Sequence, residues 1–356
     1  MKALALVEAP GHVCCRYRIR AFERALAERD IELTIAGLAR APLARWRQIR
    51  GAAAYDVVIL QRKLLGYLDL RLLRQSAARL VFDFDDAVLY RDSNDARGPH
   101  SARRTARFSR VVRLADAVIA GNDFLADCAL RAGAVPERVG VIPTCIDPSL
   151  YKTAGDHENR RDSELNLAWI GSSSTLKALE ERRDLWDRVG REVPGVRLRV
   201  ICDRFPNLGA LRVVPIPWSG PFEAEDLAAS DVGVAWMPDD LWSRGKCGLK
   251  VLQYQAAGLP TVANPVGIHQ ELVTHGVHGY LPDGDDAWVE SIRTLAAERG
   301  LRGLMGRAAR RHLEEHFSVE AWSDAFAATV APGRAAAASR PHASRSAGSI
   351  KKSSSA

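Results

Sequence analysis

Short apolar runs alternate with amphipathic segments along the first 150 residues of the chain. Mainly aliphatic runs, typical of buried strands, lie at 3–8, 31–36, 55–60, 79–84, 115–120 and 139–143. Apolar positions recur at helical spacing in 18–29 and 68–77, and Asn122 or Asp123 can cap a helix after the fifth run. This alternation predicts a parallel sheet with helices on both faces.

The alternation returns after a polar stretch without periodicity at 151–164. Strands are predicted at 165–170, 196–201, 211–215, 231–236, 261–263 and 279–281. Helices are predicted at 176–189, 222–229, 249–257, 269–273 and 319–330 and, with breaks, over 287–316. Because 356 residues suit two domains, we predict an α/β protein whose two halves repeat one architecture.

The segment boundaries follow from the same patterns. We predict a first domain at 1–150, a linker at 151–164, a second domain at 165–318 and a C-terminal helix at 319–331 that can pack back on the first domain. The stretch 332–356 is rich in Ala, Ser and Arg and has too little apolar surface to order itself. It is therefore predicted to be a disordered tail.

Excess positive charge is concentrated in this tail. The chain has a net charge of +7, and the tail alone holds five cations and no acid: Arg334, Arg340, Arg345, Lys351 and Lys352. The remaining chain is close to neutral, so we expect no nucleic-acid partner. The tail and the basic stretch 103–113 allow peripheral contact with the inner face of a membrane.

The cysteines and the apolar segments predict a cytoplasmic protein. None of the six cysteines has zinc-ligand spacing, and a chain of this length does not need disulfides. The apolar start at 3–7 is shorter than the core of an export signal, and no apolar run approaches the length that spans a bilayer. We therefore expect reduced cysteines and a cytoplasmic location.

The segment 165–180 joins an apolar strand to a helix through hydroxyl residues. Gly171 is followed by Ser172, Ser173 and two further hydroxyl residues, and Lys177 comes one turn into the helix. Backbone amides and hydroxyls at a helix start suit an anion, and the lysine adds a positive charge. The alternative is a helix capped by Ser or Thr with a lysine on its surface.

The segment 243–264 is a second candidate for anion binding. Gly245 and Gly248 lie in a loop before a helix, and Lys246 and Lys250 flank the start of that helix. Lysines near a helix N-terminus oppose the macrodipole, and a bound diphosphate would neutralise them. The alternative is a solvated basic loop.

The chain resembles a known family over this region. Residues 248–285 read GLKVLQYQAAGLPTVANPVGIHQELVTHGVHGYLPDGD, which is similar to the C-terminal signature of the family 4 retaining glycosyltransferases, or glycosyl transferases group 1, which have the GT-B fold. The segments 121–125 (GNDFL) and 141–147 (VIPTCID) also lie where that family has them. The resemblance covers most of residues 1–330.

The resemblance implies an α/β fold with two Rossmann-like domains facing a central cleft. It implies an enzyme that binds a nucleotide-diphosphate sugar mainly through its second domain, with the acceptor on the side of the first. It implies transfer with retention of anomeric configuration and no required metal or other cofactor. Lys177 is implied to contact the diphosphate, with the amides of Gly248 and Leu249 near phosphate and sugar. Glu271 occupies a recurrent acidic position of the family.

The chain departs from the family pattern at a pair of positions. Where members usually carry two glutamates, this chain has Gly245 and Gln253. Gln253 can still hydrogen-bond a ribose hydroxyl, and Lys246 or Lys250 can replace an arginine missing from 172–175. The resulting candidate donor-binding set is Gly171, Ser172, Ser173, Lys177, Lys246, Gly248, Leu249, Lys250, Gln253 and Glu271.

Candidate catalytic and acceptor-binding residues lie in the first domain. Asp85 and Asp86 follow the strand at 79–84, at the end that faces the predicted cleft. Crowded carboxylates can supply a general base, and we favour Asp85 and then Asp86 for catalysis, with loop capping as the alternative. Arg16 and Arg18 can bind a carboxylate or phosphate on the acceptor side, unless they are solvated arginines at a helix start.

Two motifs in the chain resemble metal-binding motifs, but we do not predict that either binds a metal. The Asp-x-Asp spacing at 83–85 belongs to a different fold of glycosyltransferase, and HLEEH at 312–316 lies in a basic helix that the family has on its surface. We expect no metal site.

The predicted function is transfer of a sugar from a nucleotide-diphosphate sugar to a sugar, glycan or glycolipid acceptor, as in polysaccharide biosynthesis. Two alternatives stay open. The missing glutamate pair is consistent with a non-catalytic homologue that binds a nucleotide sugar, and the fold would also suit a GT-B nucleotide-sugar epimerase.

Overall fold

The computed structural model describes residues 1–153 and 164–332. Most of the predicted linker, 154–163, and almost all of the predicted tail, 333–356, lie outside the described residues. The rest of the chain forms two α/β domains, each built on a parallel sheet of six strands.

The first domain alternates strands with helices. Its strands are β1 (Lys2–Val7), β2 (Glu32–Gly37), β3 (Val57–Gln61), β4 (Leu80–Phe84), β5 (Ala117–Ala120) and β6 (Val139–Val141). Its helices are α1 (Val13–Arg18), α2 (Glu23–Ala27), α3 (Pro42–Gly51), α4 (Tyr67–Ser76), α5 (Ala102–Leu114) and α6 (Asp123–Arg131). Short 3-10 helices lie at Arg20–Phe22, Ala52–Ala54, Pro136–Arg138 and Pro148–Leu150.

The second domain has the same architecture. Its strands are β7 (Leu165–Ile170), β8 (Val196–Cys202), β9 (Arg212–Pro217), β10 (Val232–Ala235), β11 (Thr261–Ala263) and β12 (Gly279–Tyr280). The helices that follow β7 are α7 (Ser173–Glu180), α8 (Arg183–Glu192), α9 (Glu223–Ala228), α10 (Leu241–Arg244), α11 (Leu249–Ala256), α12 (His269–Leu272), α13 (Asp285–Ala297), α14 (Arg299–His316) and α15 (Val319–Val330).

The strand order places the functional loops. The sheets run β2-β1-β3-β4-β5-β6 and β12-β11-β10-β7-β8-β9, with parallel pairing throughout. Strands β3 and β4 are buried along their whole length because helices cover both faces of the sheet. The order reverses beside β1 and beside β7, and such reversals open a crevice at the carboxyl ends of the strands.

The last helix, α15, packs on the first domain. The rings of Phe22 and Phe326 stack with centroids 4.2 Å apart, and Arg79 donates to the carbonyl oxygen of Thr329 at 3.0 Å. Phe326 and Val330 thereby join the apolar cluster under β1, which also contains Val57. The end of the described chain therefore ties the two domains together.

All twelve predicted strands are present, with each end within two residues of its predicted position. The helix predictions were less complete. Residues 176–189, predicted as one helix, form α7 and α8, which break at Arg182. Helices α3 and α5 were not predicted, although Phe108, Val111 and Val112 give α5 a buried face at helical spacing. The many arginines of α5 obscured that pattern.

Among the described residues, no helix is both long and apolar enough to cross a membrane.

Candidate functional site

The loop after β10 leads into a helix whose first amides are open. Gly248 is the N-cap of α11 and has a left-handed backbone with φ of 68°. A Cβ atom there would lie 2.3 Å from the side chain of Leu272, so only glycine fits. No side chain caps the helix, which leaves the first amides, beginning at Leu249, as available donors.

Lys250 lies beside these amides and faces the loop after β7. Its Nζ is 3.2 Å from the hydroxyl oxygen of Thr175 and 5.0 Å from the ring centroid of Trp169. A Cβ atom on Gly171 would lie 2.9 Å from the same Nζ, so the glycine makes room for the ammonium. Burial and the nearby charge of Lys246 lower the pKa of Lys250 to about 8. No acidic side chain of the described residues forms an ion pair with it.

Lys246 reaches across the cleft to the first domain. Its Nζ lies 3.0 Å from Oδ1 of Asp86 and 4.8 Å from the ring centroid of Trp242. Asp86, which is buried, also pairs with Arg62, and Oδ1 of Asp85 lies 3.4 Å from Nε of the same arginine. The predicted catalytic carboxylates and Lys246 therefore lie in one cluster, and Lys250 lies near enough to Lys246 for the two charges to interact.

The two domains meet tightly around this cluster. A Cβ atom on Gly245 would lie 2.8 Å from the backbone nitrogen of Ala87, and one on Gly121 would lie 2.4 Å from Sγ of Cys247. The side chain of Asn122 donates to the carbonyl oxygen of Lys246 at 2.9 Å. Glycine at both positions lets the 245–247 loop approach the first domain closely.

Arg62 is a site residue that was not predicted from the sequence. It lies directly after β3 with a left-handed φ of 58°, and its backbone amide donates to the carbonyl oxygen of Asp83 at 2.8 Å. This unusual conformation directs its guanidinium to Cys14, Asp85 and Asp86. The available signal was a basic residue at the carboxyl end of a buried strand.

The hydroxyl-rich loop mainly caps its own helix. Ser172 and Thr175 form a reciprocal capping box on α7, and the amide of Ser173 donates to Oδ1 of Asp203 at 2.8 Å. The amides of Ser172 and Ser173 are thus already satisfied within the protein. Gly171 and Thr175 border Lys250.

Lys177 does not join the cluster, contrary to the sequence interpretation. Its side chain is about half exposed, and its Nζ lies 3.9 Å from Glu181 one turn later on α7. Residues 175 and 177 lie about 200° apart around a helix. Because Thr175 faces Lys250, Lys177 faces away from it.

Gln253 and Glu271 have surroundings other than those of Lys250. Gln253 is buried, and its amide donates to the hydroxyl of Tyr17 at 3.3 Å instead of facing open space. Glu271 lines a separate cavity of about 270 Å³ between the domains, next to Asn122. Burial, together with the charge of Asp123, raises the pKa of the Glu271 carboxyl.

Arg16 and Arg18, the predicted acceptor-binding residues, both contact other residues of the protein. Arg18 is 1% exposed, pairs with Asp83 and donates to the carbonyl oxygen of Ile142 at 2.6 Å. Arg16 lies 3.4 Å from Glu223, which also accepts hydrogen bonds from the hydroxyls of Tyr17 and Tyr151 at 2.8 and 2.9 Å. Arg16 takes part in packing between the domains, whereas Arg18 is buried within the first domain, so the acceptor-side assignment of Arg18 is wrong.

One group of donor atoms has the spacing of a metal site. Atoms of Cys14, Asp85 and Asp86 lie within 4.8 Å of one another, and this is the only such group among the described residues. The cations of Arg62 and Lys246 already contact these carboxylates. These two cations supply positive charge to the carboxylates. The absence of a metal from this group of atoms stays a prediction from the sequence.

A second and larger cavity lies on the first-domain side of the cluster. It has a volume of about 590 Å³, and Arg62 and Trp242 form part of its wall. Most of its other charged lining residues are arginines from 91–107.

Solved structures share this architecture over nearly the whole chain. The chain is similar to the Anabaena protein HepE in complex with UDP and glucose, with 19% identity, 92% of this chain and 99% of that chain covered, and a TM-score of 0.65. It is also similar to sucrose-phosphate synthase from Thermosynechococcus elongatus, with 16% identity, 91% and 96% coverage and a TM-score of 0.68. The fold is that of the GT-B glycosyltransferases.

Sequence comparisons show similarity to one family of glycosyltransferases. Residues 159–298 match the family model described as Glycosyl transferases group 1. The D-inositol 3-phosphate glycosyltransferase of Kribbella flavida is 26% identical over 81% of this chain and 74% of its own length. The enzyme of the same name from Mycobacterium bovis is 29% identical over 66% of this chain, which spans about half of that relative (52%). The chain is therefore similar to the glycosyltransferases of group 1.

Proposed function

We propose that this transferase moves a sugar from a nucleotide-diphosphate sugar to a hydroxyl acceptor with retention of anomeric configuration. The observation that carries the donor assignment is the position of Lys250. Its side chain is half-buried, its ammonium has a hydroxyl and an indole ring as neighbours, and it lies beside the uncapped start of α11.

A diphosphate fits these groups by charge and by hydrogen bonding. The amides that begin at Leu249 would donate to phosphate oxygens, and the ammonium of Lys250 would offset the negative charge. Lys246, which now contacts Asp86, lies near enough to influence the pKa of Lys250 and would supply a second cation. These groups would stabilise the charge that develops on the leaving diphosphate, without requiring a metal.

The transfer exchanges one bond at the anomeric carbon. The bond between that carbon and the diphosphate oxygen breaks, and a bond to the acceptor oxygen forms. The acceptor proton passes to the departing phosphate or to Asp85, whose buried Oδ1 has Arg62 as an ion-pair partner but no hydrogen bond in the described part of the chain. Retention is proposed from the resemblance of residues 248–285 to the retaining family.

The names of the relatives suggest which compounds to test first. HepE has been crystallised with UDP and glucose and with UDP-glucose, and two relatives are named D-inositol 3-phosphate glycosyltransferase. These names support UDP-linked sugars as first donors and a cyclic polyol or sugar as acceptor. A role in glycan or glycolipid assembly is the broader proposal.

A panel of nucleotide sugars tests the donor assignment. Thermal shift would detect binding, because a ligand that binds only the folded state raises its stability. Release of nucleoside diphosphate from the same compounds, with and without EDTA, would detect hydrolysis or transfer. NMR of the product would show whether the anomeric configuration is kept. Binding without any turnover across donors and acceptors would contradict the proposal.

A further inference from the structure

The cavity of about 590 Å³ beside Arg62 has a strongly positive lining. Seven of its lining side chains are cationic, whereas Glu8 is the one acid among the described lining residues. The volume lies in the range of pockets that hold small organic molecules. The chemistry of the lining therefore points to an anionic ligand.

Some of these cations are already paired within the protein. Arg62 contacts Asp85 and Asp86, and Nζ of Lys63 lies 3.1 Å from the carboxylate of Glu8. Arg91 and Arg97 both pair with Asp95, at 3.7 and 2.7 Å. Their charges are largely used to hold the loops that form the wall.

Three arginines from the start of α5 remain without a carboxylate partner among the described residues. Arg104 donates to the carbonyl oxygen of Tyr90 at 2.8 Å, and Arg107 donates to that of Leu64 at 3.2 Å. No contact with an acid is found for Arg103 in residues 1–153 and 164–332. Burial lowers the pKa of Arg107, and the charge of Arg103 adds to this effect, whereas the charge of Asp69 opposes it.

The position of these arginines on their helix adds to their electrostatic cost. Arg103 and Arg107 are four residues apart, where like charges on a helix repel. The first turn of α5 contains no acidic residue, so the arginines also oppose the positive end of the helix dipole. A bound anion would remove both penalties.

The basic cavity borders the candidate reaction centre. Arg62 lines the cavity and contacts Asp85 and Asp86, and Trp242 lines it and holds Lys246 over its ring. A molecule in the cavity would therefore contact Arg62, which holds both carboxylates, together with the arginines of α5.

We propose that Arg103, Arg104 and Arg107 bind a phosphate group of the acceptor, so that the acceptor class of this enzyme is a phosphorylated sugar or polyol. The proposal rests on the proposed function for the statement that the molecule in this cavity is the acceptor. Guanidinium groups suit this ligand because each can donate two parallel hydrogen bonds to phosphate oxygens.

Binding of inorganic pyrophosphate to the protein saturated with UDP tests the anion site, because UDP occupies the donor site. Calorimetry would compare the wild-type chain, the triple variant R103Q/R104Q/R107Q and the control R110Q. Arg110 lies on the same helix outside the cavity, over the ring of Tyr67. We expect pyrophosphate to bind the wild type and R110Q alike, and the triple variant about tenfold or more weakly.

The UDP titration separates the two proposals. Unchanged UDP affinity in the triple variant shows that it is folded, and failure of the wild type to bind UDP would count against the donor site instead. If UDP binds but pyrophosphate does not, or R110Q loses as much affinity as the triple variant, the acceptor proposal is overturned. Binding of phosphatidylglycerol vesicles but not of pyrophosphate would also overturn it, because α5 would then be a membrane-docking surface.

Discussion

Lys246 of the second domain and Asp86 of the first lie 3.0 Å apart, measured from Nζ to Oδ1. This contact crosses the cleft between the domains and lies within the cluster that includes Arg62 and Asp85. A donor diphosphate would compete with Asp86 for Lys246. The pair therefore connects the position of the domains to occupation of the donor site.

Closure of the cleft around this pair depends on Gly245. Gly245→Ala places a Cβ atom 2.8 Å from the backbone nitrogen of Ala87, so the domains must move apart at the site. We expect the transfer rate to fall by about tenfold or more, because small displacements of reacting groups are costly. Steady-state kinetics would measure the change. Gly300→Ala, where an added Cβ meets nothing within 4 Å, is the control, and equal rates in both variants would argue against closure.

Substitution of Lys250 and substitution of Lys177 are expected to have opposite outcomes for UDP binding. Lys250→Ala should weaken UDP binding by about tenfold to a hundredfold, because it removes a charge-assisted contact. Lys177→Ala should leave UDP binding nearly unchanged, since that lysine faces Glu181 and solvent. Calorimetric titration of both variants decides between the position read from the sequence and the position in the structure. A large loss in Lys177→Ala alone would restore the sequence interpretation.

Donor affinity should depend on pH through Lys250. Its pKa of about 8 in the free protein means that it is mainly protonated at neutral pH and loses its proton as the pH rises. A bound diphosphate favours the charged form, so binding at high pH must take up a proton. The dissociation constant of UDP should rise by about tenfold between about pH 7 and about pH 9.

Lys250→Arg is the control for this pH dependence. Arginine keeps its charge over the whole range, so its UDP affinity should be nearly constant. The same slope in the wild type and in Lys250→Arg would show that another group titrates.

Asp85 is expected to act in the transfer step rather than in donor binding. Its buried Oδ1 has no hydrogen-bond partner among the described residues and can accept the proton of an acceptor hydroxyl. Asp85→Asn should lower kcat by about a hundredfold or more, with UDP affinity unchanged. Asp92→Asn, on an exposed loop of the same domain, is the control. Equal kcat values in these two variants would remove Asp85 from the mechanism.

Arg18 should matter for stability and not for the acceptor. Arg18→Gln leaves Asp83 buried without its cation, so the free energy of unfolding should fall by about 3 kcal/mol. Arg20→Gln, at an exposed position, should change it little. Chemical denaturation of both variants would measure the difference. A higher KM for the acceptor in Arg18→Gln with unchanged stability would support the original acceptor-side assignment.

The sequence by itself was enough to predict the architecture. Apolar runs bounded by polar segments specify buried parallel strands, and each of the twelve predicted strands is present. The closeness of Gly248, Leu249 and Lys250 could also be predicted, because it is local to one loop and the start of α11. Periodicity specifies the backbone, and residues near each other in the chain stay near each other in space.

Only the tertiary structure decided which side chains meet across the cleft. The strand-to-helix segment 171–177 offers both Thr175 and Lys177, and the rotation of α7 turns the threonine toward Lys250. Gln253 is buried against Tyr17 because another domain packs there, which its own helix does not reveal. The contacts of Arg62 likewise depend on loops far apart in the chain. Packing between helices and strands decides these contacts. A local pattern of apolar and polar residues carries no information about that packing.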